Sequence, residues 1–468
     1  MSLTEKKALT REKRLSTLSH YNGSLEQLRG DIKGSQIKQR IRTFSQVSDD
    51  EILYAIRVLS RIGQSAIVVH GAVGCAASGI YFNSEHPLNW YSTNLNERDT
   101  ILGGDEKLRR AILRAYEEQN PEVIFVIGTP VVAINNDDIN SCILELEAEL
   151  DVKILSIYTD GFKSKAPTTG YDIVLHALLN GVVNRENIVK EDIINVVTVS
   201  ENREDIASVV KILRDLDIPY RLLPRYSTIE EIRNAGNARA SICLDADEGG
   251  SFAEGLAELT GVSYIKTDPP VGLRGTRQFI RKLAQTLSIE DRAAQYIEEK
   301  EAVVQKKVQR RIFAGRSVFL DTRTSLAGNL VDFTESLGGR VAGLAVTYVD
   351  LNNRSVIEKL DSLANATPVV IANGQPFEKA NALSKDHVHF YISTEGDVAF
   401  AAKQGSIPVS LSDTAILGYE GIEQFADRII LSEAAVGLGK YLQQDKNPFY
   451  RTSWLKKSGN WYVKQEVR

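Results

Sequence analysis

The chain is short of the residues that mark several function classes. Only three cysteines occur in 468 residues, Cys75, Cys142 and Cys243. That excludes a disulfide framework and fits a reducing compartment, where thiols stay available for metal or redox chemistry. No apolar run reaches the ~18 residues of a membrane span. The N-terminal stretch MSLTEKKALTREKRLSTLSHYNGS is charged and lacks the apolar centre of a secretory signal. A cytoplasmic protein without a membrane partner is expected. Charge adds little: 56 basic against 61 acidic side chains leave a formal net charge of −5, so no nucleic-acid partner is expected either. GxxxxGK[ST], GxSxG and HExxH motifs are all missing, so the chain itself is not expected to hydrolyse ATP. The segment from Gly103 to Leu108, GGDEKL, opens on glycines but continues with acids, and reads as a helix start.

What is present is an ordinary globular composition, 43% hydrophobic and 25% charged, long enough for several domains. Residues 1–46 are polar, with basic clusters, and read as an extended and helical arm that wraps onto a body or a partner. From residue 47 the pattern becomes regular. SDDEILYAIRVLSRIG carries Ile52, Ile56 and Leu59 at helical spacing behind a Ser48/Asp49 cap. SAIVVHG is a buried strand ending in glycine. DEKLRRAILRAYEEQNP, EVIFVIGTP, DDINSCILELEAEL and VKILSIYTDGF continue as helix, strand, helix and strand. Such alternation predicts a parallel, doubly wound sheet. It restarts near residue 193 and again near 316, with the charged helix SIEDRAAQYIEEKEAVVQKKVQRRIFAG between. The predicted fold is therefore α/β, with three Rossmann-like doubly wound parallel-sheet units behind the arm: 47–192, 193–315 with the linker helix, and 316–468 with a C-terminal tail. Functional groups are expected at the carboxyl ends of strands.

One motif stands at such an end. His70-Gly71-Ala72-Val73-Gly74-Cys75 follows the first buried strand, and its two glycines permit close backbone approach. A thiolate there can reach a ligand, a metal or another subunit, and thiolates are the usual protein ligands of iron–sulfur clusters. The competing reading is a structural cysteine in a tight turn, which spacing alone favours. Cys243 ends another apolar run and reads first as a core cysteine, with a cofactor ligand as the alternative. Cys142 shares a helix face with Ile139, Ile143 and Leu146 and reads as core. His70 either orients the Cys75 turn or is a satisfied buried histidine. His86, in SEHPLNW, is a candidate to face a cofactor; Asp99 is a weaker acid–base candidate. His387 and His389 alternate on one strand face without a third ligand, and read as a surface or packed pair.

Taken in order, the landmarks HGAVGC, Ser92 to Asp99 (STNLNERD), Ile101 to Gly104 (ILGG), Pro121 to Pro130 with Asn136-Asp137-Asp138, Thr159 to Asp172, and Leu417-Gly418-Tyr419-Glu420-Gly421 resemble the nitrogenase component 1 family. The resemblance runs from about residue 40 to 430, with the last motif in its β-like form. It implies that Cys75, beside Gly74, ligates an iron–sulfur cluster at an α/β interface. Fully equipped members supply three cysteines per subunit. Here the upstream position lies in Arg42-Thr43-Phe44-Ser45-Gln46 and the downstream one in Ile127-Gly128-Thr129-Pro130, both without cysteine. The resemblance therefore implies a [4Fe-4S] cluster shared three-plus-one with an α-like paralogous subunit, in an α2β2 assembly served by a separate ATP-hydrolysing iron protein. The function it implies is a β-like subunit of a two-component reductase that relays electrons through the cluster; the alternative is a subunit of a cofactor-assembly scaffold. By the same resemblance, the cofactor-ligating cysteine of α-type subunits lies near Cys243.

Overall fold

The alternation read in the sequence becomes three sheets, two parallel and one mixed, in the computed structural model, which describes residues 17–33, 51–75, 89–159, 166, 168–186, 188–308, 312–372, 375–396, 398–435, 437, 441 and 450–457. The described residues group into two bodies, one within Asp49–Glu201 and Pro219–Lys266, the other within Ser16–Ser48, Asn202–Ile218 and Thr267–Arg468.

The first body holds two four-stranded sheets. In one, the strands run Trp90–Ser92, Ser65–His70, Val123–Gly128, Lys153–Tyr158, all parallel. The two central strands are buried along their whole length, as befits a sheet covered on both faces. Their side chains divide with the period of two that a strand imposes. Ile67, Val69, Phe125 and Ile127 face helices Glu51–Leu59 and Thr169–Gly181. Ala66, Val68, Ile124 and Val126 face helices Asp105–Gln119 and Ile139–Glu149. Gly170 sits where the first two of these helices touch: a Cβ there would lie 2.1 Å from the Glu51 carbonyl oxygen. The second sheet repeats the order with Tyr220–Pro224, Ile194–Thr198, Ala240–Cys243 and Ser263–Ile265, again all parallel. One apolar core runs from the first sheet through helix Thr169–Gly181 to Phe252 and Leu256 of helix Ala246–Thr260.

In the second body the order is His20–Ser24, Pro368–Ala372, Arg340–Val346, Ser317–Thr322, Phe390–Ser393, Ile407–Ser410. Five strands are parallel, and His20–Ser24 closes one edge in antiparallel fashion. The described part of the N-terminal arm thus completes a sheet edge, and is followed by helix Leu25–Lys33. The rest of 1–46, including the Arg42 to Gln46 segment, lies outside the described residues.

The grouping cuts across the sequence segment 193–315. Helix Arg203–Asp215 goes with the second body, not with the strand Ile194–Thr198 that precedes it. Long-range polar contacts tie it there. Asp205 Oδ1 accepts the backbone N–H groups of Ile416 and Leu417 at 2.6 and 2.9 Å. Ser208 Oγ donates to the Leu417 carbonyl at 2.6 Å, and Asn202 Nδ2 to that of Thr414 at 2.9 Å.

Candidate metal centre at the Cys75 turn

In the first sheet the chain's first strand, Ser65–His70, lies between its second, Trp90–Ser92, and its third, Val123–Gly128. The chain therefore leaves the first strand to one side and returns on the other. The crevice beyond the carboxyl ends of the first and third strands is the topological switch point, where open α/β sheets bind ligands. His70 pairs level with Gly128, so the two strands end together. Cys75 stands in the turn that leaves the first, and Thr129 follows the third.

The turn is short. Residues 73–75 form one helical step, and the Cys75 N–H donates to the Ala72 carbonyl at 3.1 Å. Cys75 is half-buried and packs against the core on the Ile67/Val69 face, while Val73 and Gly74 are exposed. The two glycines differ. A Cβ on Gly71 would lie 2.1 Å from Thr129 Oγ1, whereas one on Gly74 would meet no described atom within 4 Å. Close approach is thus a requirement at Gly71 and not at Gly74. The Thr129 side chain, in the Ile127 to Pro130 segment where the resemblance places a cysteine of fully equipped members, packs directly on the root of the Cys75 turn.

Polar groups line the floor. His70 is fully buried, with Nε2 3.3 Å from Asp137 Oδ2, an ion-pair distance without hydrogen-bond alignment. Its Nδ1 is 3.2 Å from Thr93 Oγ1. Thr93 Oγ1 accepts the Gly71 N–H at 3.0 Å and faces the Gly71 carbonyl at 3.3 Å. Gly104 leaves room for the imidazole, since a Cβ there would lie 2.8 Å from His70 Cε1. That explains the glycine at the start of helix Asp105–Gln119, which is a helix start as expected. Thr159 Oγ1 donates to the Gly128 carbonyl at 2.7 Å. Thr93, Thr129 and Thr159 each follow a strand end, Asp137 follows the cap of helix Pro130–Asn135, and their roles were not legible individually. The available signal was a hydroxyl at or one residue past the end of each apolar run.

Several large apolar side chains are exposed on the segments that follow these strand ends. Val73 is 59% exposed, Ile101 and Leu102 of helix Glu97–Leu102 are 81% and 71%, and Ile134 of helix Pro130–Asn135 is 69%. The two helices touch, with Asn135 Nδ2 donating to the Thr100 carbonyl at 3.1 Å. The ridge is held firmly from below. Asn96 and Asp99 form a reciprocal capping box, and Lys107 Nζ reaches Asp99 at 2.5 Å and the Asn94 carbonyl at 3.0 Å. The Asn96 backbone N–H, then Lys107, holds the Asp99 carboxyl below its usual range. Asp99 is accordingly a helix cap.

The other candidates separate cleanly. Cys142 is buried, and burial pushes its thiol up to about 11. Cys243 also lies at a strand end, but in the core; its Sγ donates to the Asp245 carbonyl at 3.1 Å, and burial raises its thiol far beyond the usual range. His389 Nδ1 is 3.1 Å from Ser317 Oγ. His86 lies outside the described residues. Among those described, no group of three or more His, Cys, Asp or Glu side chains is arranged to hold a metal ion. Cys75 is thus a single donor, and its soft sulfur at an open sheet edge fits one corner of an iron–sulfur cluster. The remaining ligands would lie beyond the described residues.

A profile of the family described as nitrogenase component 1 type oxidoreductase matches residues 51–431. This chain belongs to that family. The nitrogenase iron-molybdenum cofactor biosynthesis protein NifE of Clostridium pasteurianum is 24% identical over 394 residues, spanning 80% of this chain and 85% of its own. The nitrogenase molybdenum-iron protein alpha chain of Methanosarcina barkeri is 23% identical over 320 residues, 64% of this chain and 60% of its own. A solved structure of nitrogenase Cp1 at pH 6.5 superposes with a TM-score of 0.74 at 18% identity, over 89% of this chain and 98% of that one. The fold is therefore that of nitrogenase component 1. Members of this family bind iron–sulfur clusters and form α/β complexes served by an iron protein.

Proposed function

We propose that this chain is one subunit of a nitrogenase-like cofactor-assembly scaffold, and that Cys75, beside Gly74, supplies a minority ligand to a [4Fe-4S] cluster shared with a paralogous subunit in an α2β2 complex. The observation that carries the reading is the Cys75 turn itself. A half-buried thiol stands at a topological switch point, two residues after the exposed Val73, and without a ligand set of its own among the described residues. A lone thiolate cannot hold a cluster, and an apolar ridge of Val73, Ile101, Leu102 and Ile134 beside it suits burial under partner proteins. When bound, the cluster would supply a one-electron redox centre. This chain's contribution would be to present the thiol, exclude water on the core side and offer the ridge to the partner and the iron protein.

The scaffold reading takes support from the NifE relative, which is matched across most of its own length. The reductase reading gives the same site another use, relaying electrons from an ATP-dependent iron protein to a substrate or cofactor on the partner. The two separate on what the complex releases. Purified with its partner, a scaffold is expected to pass a metal cluster to an apo-acceptor on mixing. Retention of all metal, together with turnover of an organic substrate when the iron protein and ATP are added, would favour the reductase.

A further inference from the structure

Thr93 has one hydroxyl hydrogen and two acceptors within reach, His70 Nδ1 at 3.2 Å and the Gly71 carbonyl at 3.3 Å, while its oxygen already accepts the Gly71 N–H. Which acceptor it serves follows from the imidazole. A neutral ring with its proton on Nε2, toward Asp137, leaves Nδ1 bare, so the Thr93 O–H must turn to it. A ring protonated at both nitrogens donates from Nδ1 to Thr93 Oγ1, and the O–H turns to the Gly71 carbonyl. The added proton comes from solvent and rests on Nδ1. We propose that Asp137, His70 and Thr93 form a positioning relay, in which a proton on a buried imidazole sets the hydrogen bond received by Gly71 at the root of the Cys75 turn.

Several observations support the relay. His70 is buried, the Asp137 side chain beside it is only 8% exposed, and Nε2 and Oδ2 have no other hydrogen-bond partner among the described residues. A buried polar pair of this kind costs about 1–3 kcal/mol when left unsatisfied and calls for a role. Gly71 is held on both sides, its carbonyl accepting the Leu95 N–H at 2.9 Å and its Cα packed so close to Thr129 that a Cβ would clash, so a change in its hydrogen bonding is passed along the turn. Burial holds the imidazole below its ordinary value, against the opposing pull of Asp137 and Asp105; Asp137 also begins the turn behind the exposed helix Pro130–Asn135. Use of the relay by a cluster rests on the reading of Cys75 above; the relay itself does not.

The test uses the full-length chain, stripped with chelator and desalted. Iodoacetamide labelling of Cys75 is followed by peptide mass spectrometry from about pH 4.5 to pH 9, a range that reaches below the ordinary imidazole value. Thr93→Val is expected to change the labelling rate about three- to tenfold, the weight of one hydrogen bond. Thr93→Ser, which keeps the hydroxyl, is expected to stay within about twofold of wild type. The wild-type profile should carry an inflection below that of the thiol, absent from His70→Gln. Superimposable wild-type and His70→Gln profiles, or a Thr93→Ser variant that behaves as Thr93→Val, would overturn the relay. Should Thr93→Val not fold, the His70→Gln profile decides. If a Cys75→Ala complex keeps its cluster while the relay variants alter labelling, the cluster reading falls and the relay stands; unaltered labelling with loss of the cluster removes the relay alone.

Discussion

Gly71 and Gly74 flank the same turn under different constraints. A methyl group on Gly71 would overlap Thr129, so Gly71→Ala is expected to lower stability by about 1–3 kcal/mol. Gly74→Ala has open space and is expected to stay within about 0.5 kcal/mol of wild type. Denaturant unfolding of the two variants checks the contrast, which equal losses would contradict. The sequence carried both glycines as one signal, because spacing says nothing about what a Cβ would meet. The thiols behave likewise. Cys142 and Cys243 are raised by burial, to about 11 for Cys142, so neither should be appreciably deprotonated near pH 8. In the folded, cluster-free chain, Cys75 is expected to react with iodoacetamide well ahead of both. Comparable labelling of Cys243 would show that its core position is wrong.

At the level of elements, three of the four strands of the first sheet and the helices Glu51–Leu59, Asp105–Gln119 and Ile139–Glu149 were legible, because parallel strands are buried on both faces and their helices carry one apolar stripe; the short strand Trp90–Ser92 was not, and helix Thr169–Gly181 begins inside the stretch Thr159 to Asp172 that reads as a loop. The ends of the helix Asp105–Gln119 were legible too, through Gly104 and the left-handed Asn120 before Pro121. The allegiance of helix Arg203–Asp215 was not. It depends on Asp205 meeting backbone groups of Ile416 and Leu417, more than two hundred residues away. Burial raises the Asp205 carboxyl to about 6, overcoming those two N–H bonds, which favour the charged form. The folded state therefore holds this proton more tightly than the unfolded chain. The stability so gained is complete below the ordinary value near 3.8 and is lost as pH rises through about 6. Asp205→Asn does not titrate, so its stability relative to wild type should rise by up to about 3 kcal/mol between pH 4 and pH 7. Unfolding curves at pH 4, 5, 6 and 7 measure this, and parallel pH dependences would contradict it.

For the molecule as a whole, the ordered motifs carried the family, and the profile match over residues 51–431 agrees with them. Three parallel-sheet units were expected, and the described residues form three sheets, one of them closed by an antiparallel edge strand. The missing cysteines were also legible, and they are why the proposed role gives this chain a single cluster ligand. What composition could not reveal is the exposed ridge at Ile101, Leu102 and Ile134: hydrophobic residues in a helical pattern read as core until a structure places them outside. Replacing Ile101 and Leu102 together with Ser and Gln should leave the isolated chain folded, as surface changes do, yet weaken capture of a partner protein; unchanged association in a pull-down of the co-expressed complex would argue against the ridge as an interface. The most direct test is spectroscopic. The chain is co-expressed with its paralogous subunit, purified without oxygen, and compared with its Cys75→Ala variant by visible absorption and by EPR of the reduced form. The account predicts that Cys75→Ala loses or visibly alters the broad cluster absorption and the reduced-cluster signal while the two chains still co-purify; identical spectra from both complexes would contradict it.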